Sequence, residues 1–240
     1  MTGQVLSLSP RRLGAALLVA CTLALCGPAS ADALIDRFPT ICGDTRLGFA
    51  ERVDALTAAG WSRRNPGMWE SYRPLLTEAF IATSIKAQAS PDQWAETRAM
   101  ADQLSGILAM SADDRAAAGI PDLTYAVLVS TGNPVAVLAI LDEGMVLEGR
   151  VHCYYAGPLP TEIASFVAQM ERSRFTEMND NFVHQYSLET TENHEGVTQV
   201  SAQLVAILTP EAAQRLGAPP QAAAAVSIYS QPLLREGSAP

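Results

Sequence analysis

From Pro121 the apolar pattern changes from mostly helical to mostly strand-like, and this change limits the fold more than any other feature. Before it, apolar residues recur every three or four positions, as on one face of a helix. After it, β-branched residues run continuously or alternate, as in strands. Such an order predicts an α+β fold, with a helical N-terminal half packed on a mostly antiparallel sheet from the C-terminal half.

The helical part spans 44–118. Asp44 or Thr45 opens a helix carrying Leu47, Phe49, Ala50, Val53 and Leu56, and Gly60 stands at its C-cap. A second helix covers 68–88, with Trp69, Tyr72, Leu76, Phe80 and Ile81 on one side and Pro74 as a start or kink. Ser90 as N-cap and Pro91 in the first turn open a third, through Trp94, Met100, Leu104 and Leu108. A short helix follows at 113–118.

The sheet-rich part spans 123–230. Two strands, 123–130 and 134–141, flank the hairpin turn Thr131-Gly132-Asn133. Continuous apolarity from Val135 to Leu141 predicts burial on both faces. The next strand, 145–155, alternates: Met145, Leu147, Val151, Cys153 and Tyr155 against Val146, Glu148, Arg150, His152 and Tyr154. A helix at 161–174, strands at 181–190 and 197–208 around a turn at 191–196, a short helix at 210–216 and a strand at 222–229 complete the order. Residues 32–235 read as one domain, with helices on one face of the sheet and the other face wet, and 236–240 as a disordered tail.

The N-terminus carries an export pattern. Arg11 and Arg12 precede an uncharged, mostly apolar run at 13–26, and Ala29-Ser30-Ala31 precedes Asp32. A basic start, an apolar core and a small-residue site describe a secretory signal peptide cleaved after Ala31. The apolar run is shorter than the ~20 residues a membrane helix needs. The mature chain is expected to be soluble and periplasmic or secreted. Leu18-Val19-Ala20-Cys21 also resembles a lipobox, which would make Cys21 a lipidation site and the protein an envelope lipoprotein. Cleavage after Ala31 leaves Cys42 and Cys153, and an oxidising compartment predicts a disulfide between them.

Composition narrows the partners. The chain holds 16 basic and 25 acidic residues, for a net charge of −9, and two of the bases lie in the leader. An acidic domain without a basic run is a poor match for nucleic acid. The partners expected are a small molecule or an envelope protein, with no cofactor and no transmembrane segment in the mature chain.

Motifs for catalysis fail one by one. The sequence has no G-x-S-x-G, no P-loop and no G-x-G-x-x-G. His194-Glu195 opens only half of H-E-x-x-H, because Thr198 replaces the second His. No motif ties the chain to a named family; the strand–helix–strand order is similar to profilin-like sheets in architecture alone.

Three clusters remain. Glu148, His152 and Tyr154 place an acid, a base and a phenol on the polar face of the strand at 145–155, where a hydrolase could use them. Arg150, Gln199 and Gln203 would line the same wet face as ligand contacts. Glu192, His194 and Glu195 could offer oxygen and imidazole ligands to a divalent ion. His184, on a strand face with Phe182, Tyr186 and Leu188, reads as a core histidine. The leading expectation is a non-enzymatic periplasmic binding or envelope-accessory module.

The intact mass of protein recovered from its own cell envelope should match residues 32–240 and rise on reduction by the hydrogens a disulfide takes up. A lipid-sized increment on a chain beginning at Cys21 would instead establish the lipoprotein.

Overall fold

Helices start where the sequence supplies a cap. The computed structural model describes residues 34–85, 89–120, 123–130, 135–143, 150–173, 178–179, 183–194, 197–217 and 221–233. The leader, Cys21, the turn at 131–133 and the tail at 236–240 lie outside these residues. Helix α1 spans Phe38–Gly43, α2 Phe49–Ala58, α3 Trp69–Ser84, α4 Pro91–Ala109 and α5 Ala112–Ala117. At the start of α4 the Gln93 N–H donates to Ser90 Oγ (3.3 Å) while the Ser90 N–H donates to Gln93 Oε1 (2.8 Å), a complete capping box. Pro74 sits inside α3. Helix α6 covers Thr161–Ser173 and α7 Pro210–Leu216, the latter closed by Gly217 at φ +70°. Sequence periodicity misses α1, which is a single turn and a half with Pro39 in its first turn.

The strands are β1 Ser62–Arg63, β2 Tyr125–Val129, β3 Val137–Asp142, β4 Val151–Gly157, β5 Met178–Asn179, β6 Val183–His194, β7 Val197–Leu208 and β8 Ala224–Leu233. They form one eight-stranded sheet in the order β1-β2-β3-β4-β8-β7-β6-β5. Every pairing is antiparallel. The last strand is inserted between β4 and β7, so the chain's end completes the centre of the sheet. Strand β6 continues through His194, so most of the turn expected at 191–196 is ladder, with His194 paired to Val197.

Helices cover both faces, which corrects the expectation of one wet face. On one side α3 and α4 bring Leu76, Phe80, Ile81 and Leu108 against Val127, Val137, Ala139 and Ala156. On the other, α1, α2 and α6 bring Phe38, Leu56, Ile163 and Val167 against Leu128, Leu138, Ile140 and Val226. Strand β3 is apolar at successive positions because both of its faces are covered. The amphipathic signal of β4 misleads for a different reason. On the α3 side His152 finds hydrogen-bond partners within the protein, and Tyr154 packs between His152 and Phe80.

The second face is stapled covalently. Cys42 of α1 is bonded to Cys153 of β4 across 111 positions. Beside the bond, Phe38 stacks on Tyr155 with ring centroids 4.2 Å apart, and Trp61 meets both rings edge-on at 6.4 Å. Gly157 ends β4 where no side chain fits, since a Cβ there would lie 2.6 Å from Ala136 Cβ and 3.0 Å from its Cα. Among the described residues no helix is long and apolar enough to cross a membrane.

Reduction of the Cys42–Cys153 bond, or Cys42→Ser with Cys153→Ser, should lower the unfolding free energy by about 2–5 kcal/mol in urea titration, the range expected for a loop of this length. An unchanged urea midpoint would mean that the helices hold α1 in place without the bond.

Candidate functional site

Alternation along β4 directs Cys153 and Tyr155 toward α1 and His152 and Tyr154 toward α3. In register, His152 faces Leu141 on β3 and Tyr229 on β8, and Tyr154 faces Ser227. Glu143 follows the end of β3 and is held there by its N–H, which donates to the Arg150 carbonyl at 2.9 Å. The end of β3, the start of β4 and the middle of β8 thereby bring together Glu143, Arg150, His152, Ser227 and Tyr229.

The contacts form a chain. His152 Nδ1 lies 3.1 Å from Glu143 Oε1, and Nε2 lies 2.5 Å from Ser227 Oγ. The second carboxylate oxygen of Glu143 is ion-paired with Arg150 Nε at 2.9 Å. The Arg150 guanidinium sits over the Tyr229 ring, 4.4 Å from its centroid. Above this row, the His152 ring stacks on Tyr154 at 4.0 Å, and Tyr154 meets Phe80 of α3 edge-on at 4.7 Å. His152 and Ser227 are each 7 % exposed.

Electrostatics assign the protons. Desolvation lowers the pKa of His152 and outweighs the opposing pull of Glu143. The hydrogen bond from His152 holds the Glu143 carboxyl below its ordinary range, against the cost of burial and with help from Arg150. Burial, and then the Glu143 charge, raises the Tyr154 phenol. Ionised Glu143 accepts only, so neutral His152 donates from Nδ1 and accepts the Ser227 hydroxyl at Nε2. Hydroxyl, imidazole and carboxylate thus stand in the order used by nucleophilic hydrolases, with the ring roofed by Tyr154 and α3.

Of the residues expected from sequence, His152, Arg150 and Tyr154 belong to this cluster, while Glu148 and Glu195 lie outside the described residues. Gln203 does not join it. Its rung runs through Ile228 to Cys153, on the disulfide face, and β8 separates β7 from β4. Gln199 pairs with Glu192 and Pro232, farther along the same ladder. Glu192 and His194 occupy successive even positions at the end of β6, and among the described residues no group of three or more His, Cys, Asp or Glu comes together. His184 faces Ile207 and is partly exposed, so the core reading is corrected.

Sequence reasoning misses Glu143, which reads as a turn residue, and Ser227, whose partner strand no local pattern reveals. It also misses Arg52. This side chain is fully buried, and its Nη2 donates to the Asp44 and Leu47 carbonyls (2.6 and 2.9 Å) and to Ser230 Oγ (2.7 Å). Burial lowers its pKa to about 10, partly offset by Asp44. Arg52 ties the α1–α2 connection to β8.

Comparison with known protein families, with curated proteins and with solved structures gives no match.

The sign of the His152 shift sets a pH dependence. Its folded pKa lies below its unfolded value of about 6.5, so the unfolded chain binds the proton first as pH falls. The His152 contribution to stability is complete above about pH 6.5 and is lost as pH falls from there through the folded pKa. Glu143 acts in the same direction at lower pH, because its folded pKa also lies below the ordinary glutamate value. Urea midpoints measured between about pH 7 and 5 should fall for the native chain, and His152→Gln should flatten that slope. Equal slopes would remove His152 as its source.

Proposed function

We propose that this chain is an exported, non-enzymatic binding or accessory module of a bacterial envelope, carried by the leader at 1–31 and cleaved after Ala31. The observation that carries the reading is the closure of the acid–base row. His152 and Ser227 are buried, Tyr154 stacks on the imidazole, and Phe80 of α3 meets Tyr154 edge-on. In that setting the Glu143–His152–Ser227 chain satisfies polar groups inside the fold and couples β3, β4 and β8. The Cys42–Cys153 bond suits an oxidising compartment.

One observation favours a second reading, a hydrolase. Ser227 Oγ would attack an acyl carbon and pass its proton to His152 Nε2, which returns it to the leaving group as the scissile acyl bond breaks, while Glu143 orients the imidazole from Nδ1; water then hydrolyses the acyl-serine by the same route. This reading replaces Glu148 and Tyr154 of the sequence-based site by Glu143 and Ser227, and requires α3 to move aside.

A fluorophosphonate probe applied to the oxidised, folded protein distinguishes the two. The binding-module reading expects no adduct on Ser227. An adduct that disappears in His152→Ala would overturn it and establish the hydrolase.

A further inference from the structure

A cleft of about 440 Å³ lies between the first two turns of α4 and the end of α7, lined by Pro91, Trp94, Ala95, Arg98 and Arg215. Four of these residues stand at positions i, i+3, i+4 and i+7 of α4. At about 3.6 residues per turn they fall within roughly 100° of one another around the axis, so a single stripe of the helix carries all four. Arg215, in the last turn of α7, meets that stripe from the other helix, with its guanidinium 5.9 Å from the centroid of the Trp94 ring. Two cations and an indole therefore border one cleft.

The lining is graded. Trp94 is 5 % exposed and forms the back, while Pro91, Ala95, Arg98 and Arg215 are exposed along the rim. No acidic side chain lines the cleft among the described residues, although the chain carries a net charge of −9. Asp92 and Glu96 stand on α4 outside the stripe. Arg98 Nε is 4.0 Å from Asp102 Oδ2, one turn further along, with both side chains about half exposed. Such an exposed pair contributes little, so a carboxylate from outside can replace Asp102 at small cost. Contact with an aromatic ring attracts the charge of a guanidinium and consumes none of its N–H donors, whose planar fork matches a carboxylate in two-point hydrogen bonding.

We infer that this cleft binds a small aromatic carboxylate, its oxygens taken by Arg98 and Arg215 and its ring laid against Trp94, Pro91 and Ala95. The volume is that of a small-molecule site, and apolar walls with a few charged groups suit a ligand of flat apolar body and charged head. The inference rests on the binding-module reading and names its ligand class.

Calorimetric titration of the oxidised mature protein with sodium phenylacetate, at low salt, tests it. Saturable binding is expected, weakened about tenfold or more in Arg98→Gln/Arg215→Gln and lost in Ala95→Phe, which fills the cleft without changing its charge. Arg63→Gln, on β1, should bind as the native chain does. The substituted side chains are exposed, so these variants should keep the native urea midpoint. In the native chain the Trp94 indole N–H resonance should shift during the titration, while that of Trp61, on the other face of the sheet, stays in place. Acetate or 2-phenylethanol binding as tightly as phenylacetate would overturn the joint recognition of head and ring. So would a static Trp94 resonance, an absence of saturation up to about 10 mM, or full binding by the double-arginine variant. These failures leave the binding-module reading standing, whereas an adduct on Ser227 removes that reading and leaves the cleft untouched.

Discussion

The bond between Cys42 and Cys153 holds α1 against the middle of β4, and the remainder of that face is arranged around it. Phe38 precedes Cys42 by one helical turn and stacks on Tyr155, two residues beyond Cys153 and on the same side of the strand. Trp61 closes the group from the turn after α2. Arg52 then joins the α1–α2 connection to Ser230 on β8. Covalent, aromatic and polar contacts therefore converge on the two central strands, and α1, only six residues long, is placed by them rather than by its own helical stability.

The opposite side of β4 solves a harder problem. An antiparallel sheet commonly leaves one face to water, which would suit Arg150, His152 and Tyr154. Here α3 covers that face, so each polar group needs an internal partner. Glu143 and Ser227 supply two for the imidazole, Arg150 compensates the carboxylate, and the rings of Tyr154 and Tyr229 fill the space between. Glu78 does the same at the α3 surface, where its carboxylate accepts the Gln221 and Ala222 N–H groups leading into β8. Burial raises its pKa against those bonds.

Within this polar interior the ionised Glu143 carboxylate faces neutral His152 on one oxygen and the Arg150 guanidinium on the other at hydrogen-bonding distance, and the Ser227 hydroxyl completes the imidazole. A network satisfied in this way stabilises the fold rather than opening it to solvent.

Much of this architecture is legible in the residues themselves. The change of pattern at Pro121, Ser90 and Gln93 around Pro91, the apolar run of β3 and Gly217 after α7 each encode a local element, because caps and periodicity act over a few residues. The pairing of Cys42 with Cys153 follows from the residues left by the expected cleavage. What only the tertiary structure decided is which distant segments meet. The insertion of β8 between β4 and β7 brings Ser227 to His152, removes Gln203 to the other face and lets α3 roof the polar row. Strand order and the choice of covered face depend on contacts between residues scores of positions apart, and alternation along one strand records that two faces differ without recording what lies on either.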